Sequence, residues 1–172
     1  MTPRRNFFEI LGLAPCYPLQ RAALDAAYER LSLENHPDLF AAAGNAERAR
    51  AERITAELNE AYRVVASESE RAAYLLGVLR GERELDGNAL PEGFLQEMFF
   101  LQEEVEELGE EADGQRKAAL AEPVNENKRK LLAEREELFA KSEENGSLEV
   151  LQAIQTNLNC EKYFNRLLKR LE

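Results

Sequence analysis

Apolar side chains recur at helical spacing through the second half of the chain, and this periodicity restricts the fold more than any other feature. They follow one another at steps of four, three, four, three and four residues: Phe94, Met98, Leu101, Val105, Leu108 and Ala112. Such a stripe is typical of a helix that buries one face against other helices. No segment sustains the period-two alternation of a strand, so the sequence predicts an all-α fold.

Two further helical segments follow this stripe. One begins near Gln115, is interrupted at Pro123 and continues over Val124–Glu143, and the other runs over Leu148–Leu171. A Gly-Ser pair between them is typical of a helix end followed by an N-cap. Three long helices joined by short turns predict an antiparallel three-helix bundle over residues 94–172.

The first half of the chain has shorter helical patterns. Asn6 can cap a short helix that Gly12 ends, and two long helices, about 19–35 and 46–66, flank a loop with the sequence His36-Pro37-Asp38. After a last short helix comes GERELDGNALPEG, which has three glycines, one proline and no periodicity. We interpret residues 1–81 as one domain, 82–93 as a linker and 94–172 as a second domain.

Charge and hydropathy limit the partners that the chain can have. Its 172 residues include 33 acidic and 22 basic side chains, a net charge of −11, which disfavours binding to nucleic acid. No apolar run is long enough to span a membrane, and the weakly apolar N-terminus is interrupted by Asn6 and Glu9. We expect a cytoplasmic protein that binds neither membrane nor nucleic acid.

Motifs for catalysis and for metal binding are missing from the sequence. There is one histidine, and neither Cys16 nor Cys160 has a Cys or His neighbour at the spacing of metal ligands. No phosphate-binding glycine loop and no nucleophile motif occurs. We therefore expect no enzymatic activity, no metal, no cofactor and two reduced thiols.

The His36-Pro37-Asp38 loop is the most informative motif of the first half. Pro37 fixes its own φ near −65° and stiffens the loop, while His36 and Asp38 can donate and accept hydrogen bonds. A polar triad presented on a stiff loop between two helices has no evident packing role. This favours recognition of another molecule.

Three stretches around this motif resemble a J domain, the module that stimulates the ATPase of DnaK-type chaperones. They are NFFEILGL at 6–13, ALDAAYERLSLENHPD at 23–38 and ITAELNEAYRVVASESERAAY at 54–74. The second half extends the resemblance to the HscB family, J-domain co-chaperones of iron–sulfur cluster assembly. HPDLF at 36–40, RAAYLLGVLRG at 71–81 and FLQEMFFLQEEVEEL at 94–108 are similar to segments of that family.

This resemblance implies a binding site for a DnaK/HscA-type ATPase chaperone at His36, Pro37, Asp38 and Arg30. The family usually has lysine after the triad, where this chain has Leu39. The preceding helix is also poor in basic residues. These departures predict weaker chaperone binding, or a basic surface that has moved to Arg48, Arg50 and Arg53.

A second candidate site follows from helical rotation alone. With Phe94 at 0° and about 100° per residue, Leu95 and Phe99 fall near roughly 100° and 140°, and Phe100 near roughly 240°, all away from the buried stripe. Gln96, Glu103 and Glu107 lie beside them. Exposed apolar groups with a polar rim indicate a protein–protein site. By the resemblance, this face and Tyr163 would bind the iron–sulfur cluster scaffold protein.

Three alternative interpretations remain open on the sequence. The chain could be a J-domain co-chaperone with a different client, or a helical adaptor in which the triad is only a turn. A third alternative is a metal-binding protein that uses His36 and the cysteines.

Overall fold

The computed structural model describes residues 5–40, 44–108 and 113–172. In these ranges the chain forms α-helices and one short 3-10 turn, without a strand. The helices are α1 (Phe7–Leu11), α2 (Arg21–Glu34), α3 (Asn45–Ala66), α4 (Glu68–Arg80), α5 (Phe94–Leu108), α6 (Gly114–Glu144) and α7 (Leu148–Leu171), and the 3-10 turn is Pro37–Phe40. They divide into two compact units, Met1–Val78 and Leu79–Glu172. The predicted all-α fold class is confirmed.

The short helix α1 is stabilised at both ends. The Glu9 backbone N–H donates to Asn6 Oδ1 at 3.0 Å, and the Asn6 backbone N–H donates to Glu9 Oε2 at 3.0 Å. These reciprocal bonds form a capping box, which satisfies donors that have no partner inside the helix. Gly12 ends the helix with φ at 69°, a conformation that glycine adopts without strain. Both predicted caps are confirmed.

Helices α2 and α3 form an antiparallel hairpin. Tyr62 Oη donates to Asp25 Oδ1 at 2.7 Å, Tyr28 Oη donates to Asn59 Oδ1 at 2.8 Å, and Thr55 Oγ1 donates to the Asn35 carbonyl at 3.3 Å. Because the α3 partner moves back along the chain as the α2 partner advances, the two helices run in opposite directions. The hydrogen bond from Tyr62 holds the pKa of Asp25 below its usual value.

Arg71 connects three parts of the first unit. Its side chain is buried, and it donates to the Tyr17 carbonyl at 3.0 Å and to the Val65 carbonyl at 2.7 Å. Its guanidinium also lies 5.5 Å from the centre of the Tyr17 ring. Charge-assisted bonds to carbonyls satisfy this buried cation and attach α4 to the end of α3 and to the loop before α2.

The second unit buries the predicted stripe of α5 against α6 and α7. Phe94, Met98 and Val105 are buried with Val124 of α6 and with side chains of α7, while Leu101 packs at the edge and Leu108 is half-buried. Ala112 lies outside the described residues. The predicted helical bundle is confirmed in these elements.

Pro123 does not divide the second helix of the bundle as the sequence predicted. Helix α6 is continuous from Gly114 to Glu144 with Pro123 inside it, and Asp113 caps its first turn by accepting from the Arg116 backbone N–H at 2.8 Å. A proline inside a helix removes the bond to the carbonyl four residues earlier, here that of Ala119, and its ring crowds that carbonyl. Because both residues are exposed, water can satisfy this carbonyl.

A buried ion pair aligns α6 with α7. The Arg135 side chain is fully buried, and it donates to Glu161 Oε2 at 2.7 Å and to Asn157 Oδ1 at 2.8 Å. Asn157 Nδ2 in turn donates to the Leu131 carbonyl at 2.9 Å. Shifting one helix along the other would separate these groups inside the core, where an unpaired charge is costly. The pair therefore helps to determine which residues of α7 face α5.

Part of the predicted linker is bound to α7. Gln152 pairs with the backbone of Asp86 in both directions, accepting from its N–H at 2.8 Å and donating to its carbonyl at 3.1 Å. Asn159 donates to the carbonyls of Gly87 and Ala89 at 3.0 and 3.1 Å. Since these residues lie two helical turns apart on α7, the segment 86–89 runs along that helix.

Candidate functional site

The His36–Asp38 turn is held by the helices on both sides of it. At the end of α2, the Asn35 backbone N–H and side-chain amide both donate to the Leu31 carbonyl, at 3.1 and 2.8 Å. The His36 N–H donates to the Leu33 carbonyl at 3.4 Å, and the Leu39 N–H donates to the His36 carbonyl at 3.0 Å. Together with the bond from Thr55 to the Asn35 carbonyl, these contacts anchor the backbone at His36 while its side chain stays exposed.

His36 and Asp38 both present their side chains to solvent. The exposed fraction is 56% for the imidazole and 90% for the carboxylate. His36 Nδ1 accepts from the Asp38 backbone N–H at 3.3 Å, which places the proton of a neutral imidazole on Nε2. The imidazole thus offers an N–H donor at Nε2, and the Asp38 carboxylate lies beside the ring, with Oδ2 3.7 Å from His36 Nδ1. Neither side chain is part of the buried core.

Two exposed leucines flank the turn, and two of the four candidate basic residues are paired with acids. Leu33 and Leu39, each one backbone hydrogen bond from His36, are 71% and 67% exposed. Arg30 is exposed but pairs with Glu34 at 3.2 Å, and Arg48 pairs with Glu52 at 3.2 Å. Both cations are therefore partly neutralised within their own helices.

The other two basic residues that the sequence indicated lie on α3. Arg53 donates to the Ala49 carbonyl at 3.3 Å. Arg50 lines a groove of about 320 Å³ together with Asn35 and Phe40, next to the His36–Asp38 turn. The structure therefore brings Arg50 to a groove beside this turn, together with the acidic Glu47.

The apolar face of α5 is exposed as the helical rotation predicted. Leu95, Phe99 and Phe100 are 57%, 58% and 55% exposed, and the two phenylalanine rings meet edge to face with their centres 6.2 Å apart. A groove of about 180 Å³ separates this face from α7. It is lined by Leu95, Met98, Phe99 and Gln102 of α5 and by Tyr163, Arg166, Leu167 and Arg170 of α7.

The structure brings some of the expected client-face residues together and separates others. Leu95, Phe99 and Tyr163 line the α5–α7 groove, and Phe100 adjoins it through Phe99. Tyr163 is held by Phe94, whose ring meets it edge to face at 5.6 Å. Gln96 and Glu103 are exposed on α5, whereas Glu107 lines a different groove, between α5 and α6.

Two arginines of the groove were missed by sequence reasoning. The Arg166 guanidinium lies 5.7 Å from the centre of the Tyr163 ring, and Arg170 donates to Glu106 Oε1 at 3.3 Å. Hydrogen bonds from Gln102 and from Arg170 hold the pKa of Glu106 below its usual value. The steps of three and four residues from Tyr163 to Arg170 place these side chains on one face of α7. This spacing is visible in the sequence and could have identified the two arginines as neighbours of Tyr163.

Metal and membrane sites find no support in the described parts of the chain. Within residues 5–40, 44–108 and 113–172, no three His, Cys, Asp or Glu side chains are grouped so that they could hold a metal ion. In the same ranges, no helix has the length and apolar character needed to cross a membrane.

Comparison with known proteins defines the class. The family model of the DnaJ domain matches residues 6–74, which include the α2–α3 hairpin and the His36–Asp38 turn. The chain is therefore a J-domain protein with a helical bundle after its J domain.

Relatives that match about two thirds of the chain or more identify the particular family. The "Co-chaperone protein HscB homolog" of Cupriavidus taiwanensis is 38% identical over 125 residues, covering 72% of this chain and 71% of that one. That of Vibrio vulnificus is 34% identical over 114 residues, covering 64% and 65%. The chain belongs to the HscB family of co-chaperones.

Solved structures agree in fold. "Chaperone HscB from Vibrio cholerae" matches with a TM-score of 0.77 and 28% identity, over 97% of this chain and 95% of that one. Human co-chaperone protein HscB matches with a TM-score of 0.81 at 19% identity, over 99% of this chain and 82% of that one. The first alternative drawn from the sequence, a J-domain co-chaperone with a different client, would have the same fold and would differ only in the client that it binds.

Proposed function

We propose that this protein stimulates the ATPase of a DnaK/HscA-type chaperone and delivers the iron–sulfur cluster scaffold protein to it. The J domain, residues 1–81, engages the chaperone, and the bundle, residues 94–172, holds the scaffold protein. Residues 82–93 join the two parts. The chain itself carries out no chemistry and needs no cofactor.

One observation carries the chaperone half of this proposal. His36 and Asp38 are exposed side chains on a turn whose backbone is held by α2 and α3. Ordering a loop costs conformational entropy, and these side chains bury nothing that would offset it. Recognition by a partner would explain why the His36–Asp38 turn is ordered. The imidazole N–H and the Asp38 carboxylate would meet acceptor and cationic groups of the chaperone, and Arg30 on the preceding helix would add a cation.

The client half is supported by the exposed face of α5. Three large apolar side chains, Leu95, Phe99 and Phe100, are each more than half exposed, although Met98 and Val105 already supply the apolar stripe that the bundle needs. A partner that covers apolar side chains grouped in this way removes them from water, which stabilises the complex. Gln96 and Glu103 would form the polar rim, Glu107 lies farther along α5 toward α6, and Tyr163 would close the face on the α7 side.

Stimulation of the chaperone ATPase tests the chaperone half. We expect the parent protein to accelerate ATP hydrolysis by the chaperone, and His36→Gln and Asp38→Asn to abolish the acceleration while keeping parental helicity. Glu57→Gln is the matched control for Asp38→Asn, because Glu57 is an exposed carboxylate beside α1 and away from the turn. Equal acceleration by folded His36→Gln and parent would favour the alternative in which the triad is only a turn.

A further inference from the structure

The two helices that form the α5–α7 groove differ in net charge, although the α5 residues that line the groove, Leu95, Met98, Phe99 and Gln102, are uncharged. Helix α5 contains five glutamates and no basic residue, a net charge of −5. The end of α7, residues 162–172, has four basic side chains, Lys162, Arg166, Lys169 and Arg170, against the single acid Glu172, a net charge of +3. This basic segment stands out in a chain whose net charge is −11.

The two arginines of the groove differ in what they already bind. Arg170 donates through both Nη1 and Nη2 to Glu106 Oε1 at 3.3 Å, so its charge is partly compensated across the groove. Within the described residues, Arg166 has no carboxylate within ion-pairing distance and contacts the face of the Tyr163 ring instead. Arg166 therefore presents an uncompensated cation directly beside the apolar groove.

We propose that Arg166 makes the groove selective for a partner segment that carries a carboxylate next to an apolar side chain. The apolar side chain would lie against Leu95, Phe99 and Tyr163, and the carboxylate would meet the Arg166 guanidinium. This inference rests on the proposed function, because it takes the scaffold protein as the partner. The partner would then carry an acidic group on the α7 side of the groove, in addition to a basic group opposite Glu103 on α5.

The geometry of Arg166 suits a carboxylate. A guanidinium presents two parallel N–H donors that match both carboxylate oxygens, and the cation–π attraction to Tyr163, 5.7 Å away, favours a position of Arg166 over that ring before binding. A pre-ordered side chain loses less entropy when the partner arrives. A polyanion such as a nucleic acid or an anionic membrane would fit poorly, because the five glutamates of α5 give the helix beside the groove a net charge of −5.

Titration of the scaffold protein into variants of the full chain tests the sign of the partner's charge. The series consists of the parent, Arg166→Lys, Arg166→Gln and Arg166→Glu, each checked for parental helicity. We expect affinity to fall in that order, by roughly threefold to tenfold for Arg166→Gln, because solvent screens an ion pair that Arg166 makes at the exposed rim of the groove. Arg166→Glu should weaken binding further, because it places like charges opposite each other.

Arg129→Gln is the matched control, since Arg129 is an exposed arginine on α6 that pairs with Glu122 and Glu126 away from the groove. It should bind the scaffold protein like the parent. A flat series, or tighter binding by Arg166→Glu, would overturn the inference while leaving the proposed function intact. A parent that does not bind the scaffold protein at all would overturn both.

Discussion

Truncation of Phe99 to alanine should weaken scaffold binding without unfolding the bundle. Phe99 is 58% exposed and lies away from the buried stripe of Phe94, Met98 and Val105. Its removal therefore takes away surface that only a partner would cover. The core of the second unit keeps all its contacts with α6 and α7.

The magnitude follows from the exposed area. A phenylalanine side chain buries about 200 Å² when fully covered, so an exposed fraction of 58% leaves roughly 115 Å² for a partner to cover. At about 25 cal/mol per Å² this area is worth roughly 3 kcal/mol. Alanine keeps one methyl group and coverage is incomplete, which reduces the loss to about 2 kcal/mol, or roughly thirtyfold in Kd.

Calorimetric titration of the scaffold protein into the parent and Phe99→Ala measures this loss. Leu148→Ala is the matched control, because Leu148 is an exposed apolar residue 52% accessible at the start of α7, about 22 Å along the helix from Tyr163. It should bind like the parent. A folded Leu95→Ala/Phe99→Ala double variant with parental affinity would refute the reasoning, since the client would then bind elsewhere.

Met98→Asp should instead unfold the bundle, because it buries an unpaired carboxylate.

Three further predictions concern charge, pH and the segment before α5. Chaperone affinity should fall less than about threefold between low and high salt, because Arg30 and Arg48 are already paired; titrations with a steep salt dependence would contradict this. Burial raises the pKa of the Cys160 thiol from 9.0 to about 11, so the folded state favours the protonated thiol and the protein should lose stability as pH rises from 9 to 11. Between pH 9 and 11 the denaturation midpoint should fall less for Cys160→Ala than for the parent. Equal falls in the two proteins would show that Cys160 does not cause the loss of stability. Gln152→Ala should accelerate hydrogen exchange at the Asp86 amide, whereas unchanged exchange would show that 86–89 is held by other contacts.

Local rules predicted the elements of this fold well because most of them report on a single helix. The Asn6 cap, the Gly12 ending and the buried and exposed faces of α5 each depend on residues within a few positions of one another. Rotation by about 100° per residue was sufficient to place Met98 and Phe99 on different faces, although they are adjacent in the chain. Met98 is 5% exposed and Phe99 is 58% exposed.

Features that depend on contacts between helices were not predictable in this way. Whether Arg166 faces α5 depends on the alignment of α7, which the buried Arg135–Glu161 pair helps to determine. The binding of 86–89 to α7 uses backbone carbonyls and amides, so that segment shows no side-chain periodicity. Pro123 was expected to interrupt a helix, but tertiary packing of the turns on either side keeps α6 continuous.

Chaperone ATPase activity measured with and without the scaffold protein tests the central claim, delivery of a client to the chaperone, most directly. The parent should stimulate hydrolysis alone and more strongly with the scaffold protein present. His36→Gln should lose both effects, whereas the Leu95→Ala/Phe99→Ala double variant should keep the first and lose only the increment that the scaffold protein adds. If folded His36→Gln stimulates like the parent, or if the double variant keeps the full increment, the two surfaces do not act as proposed.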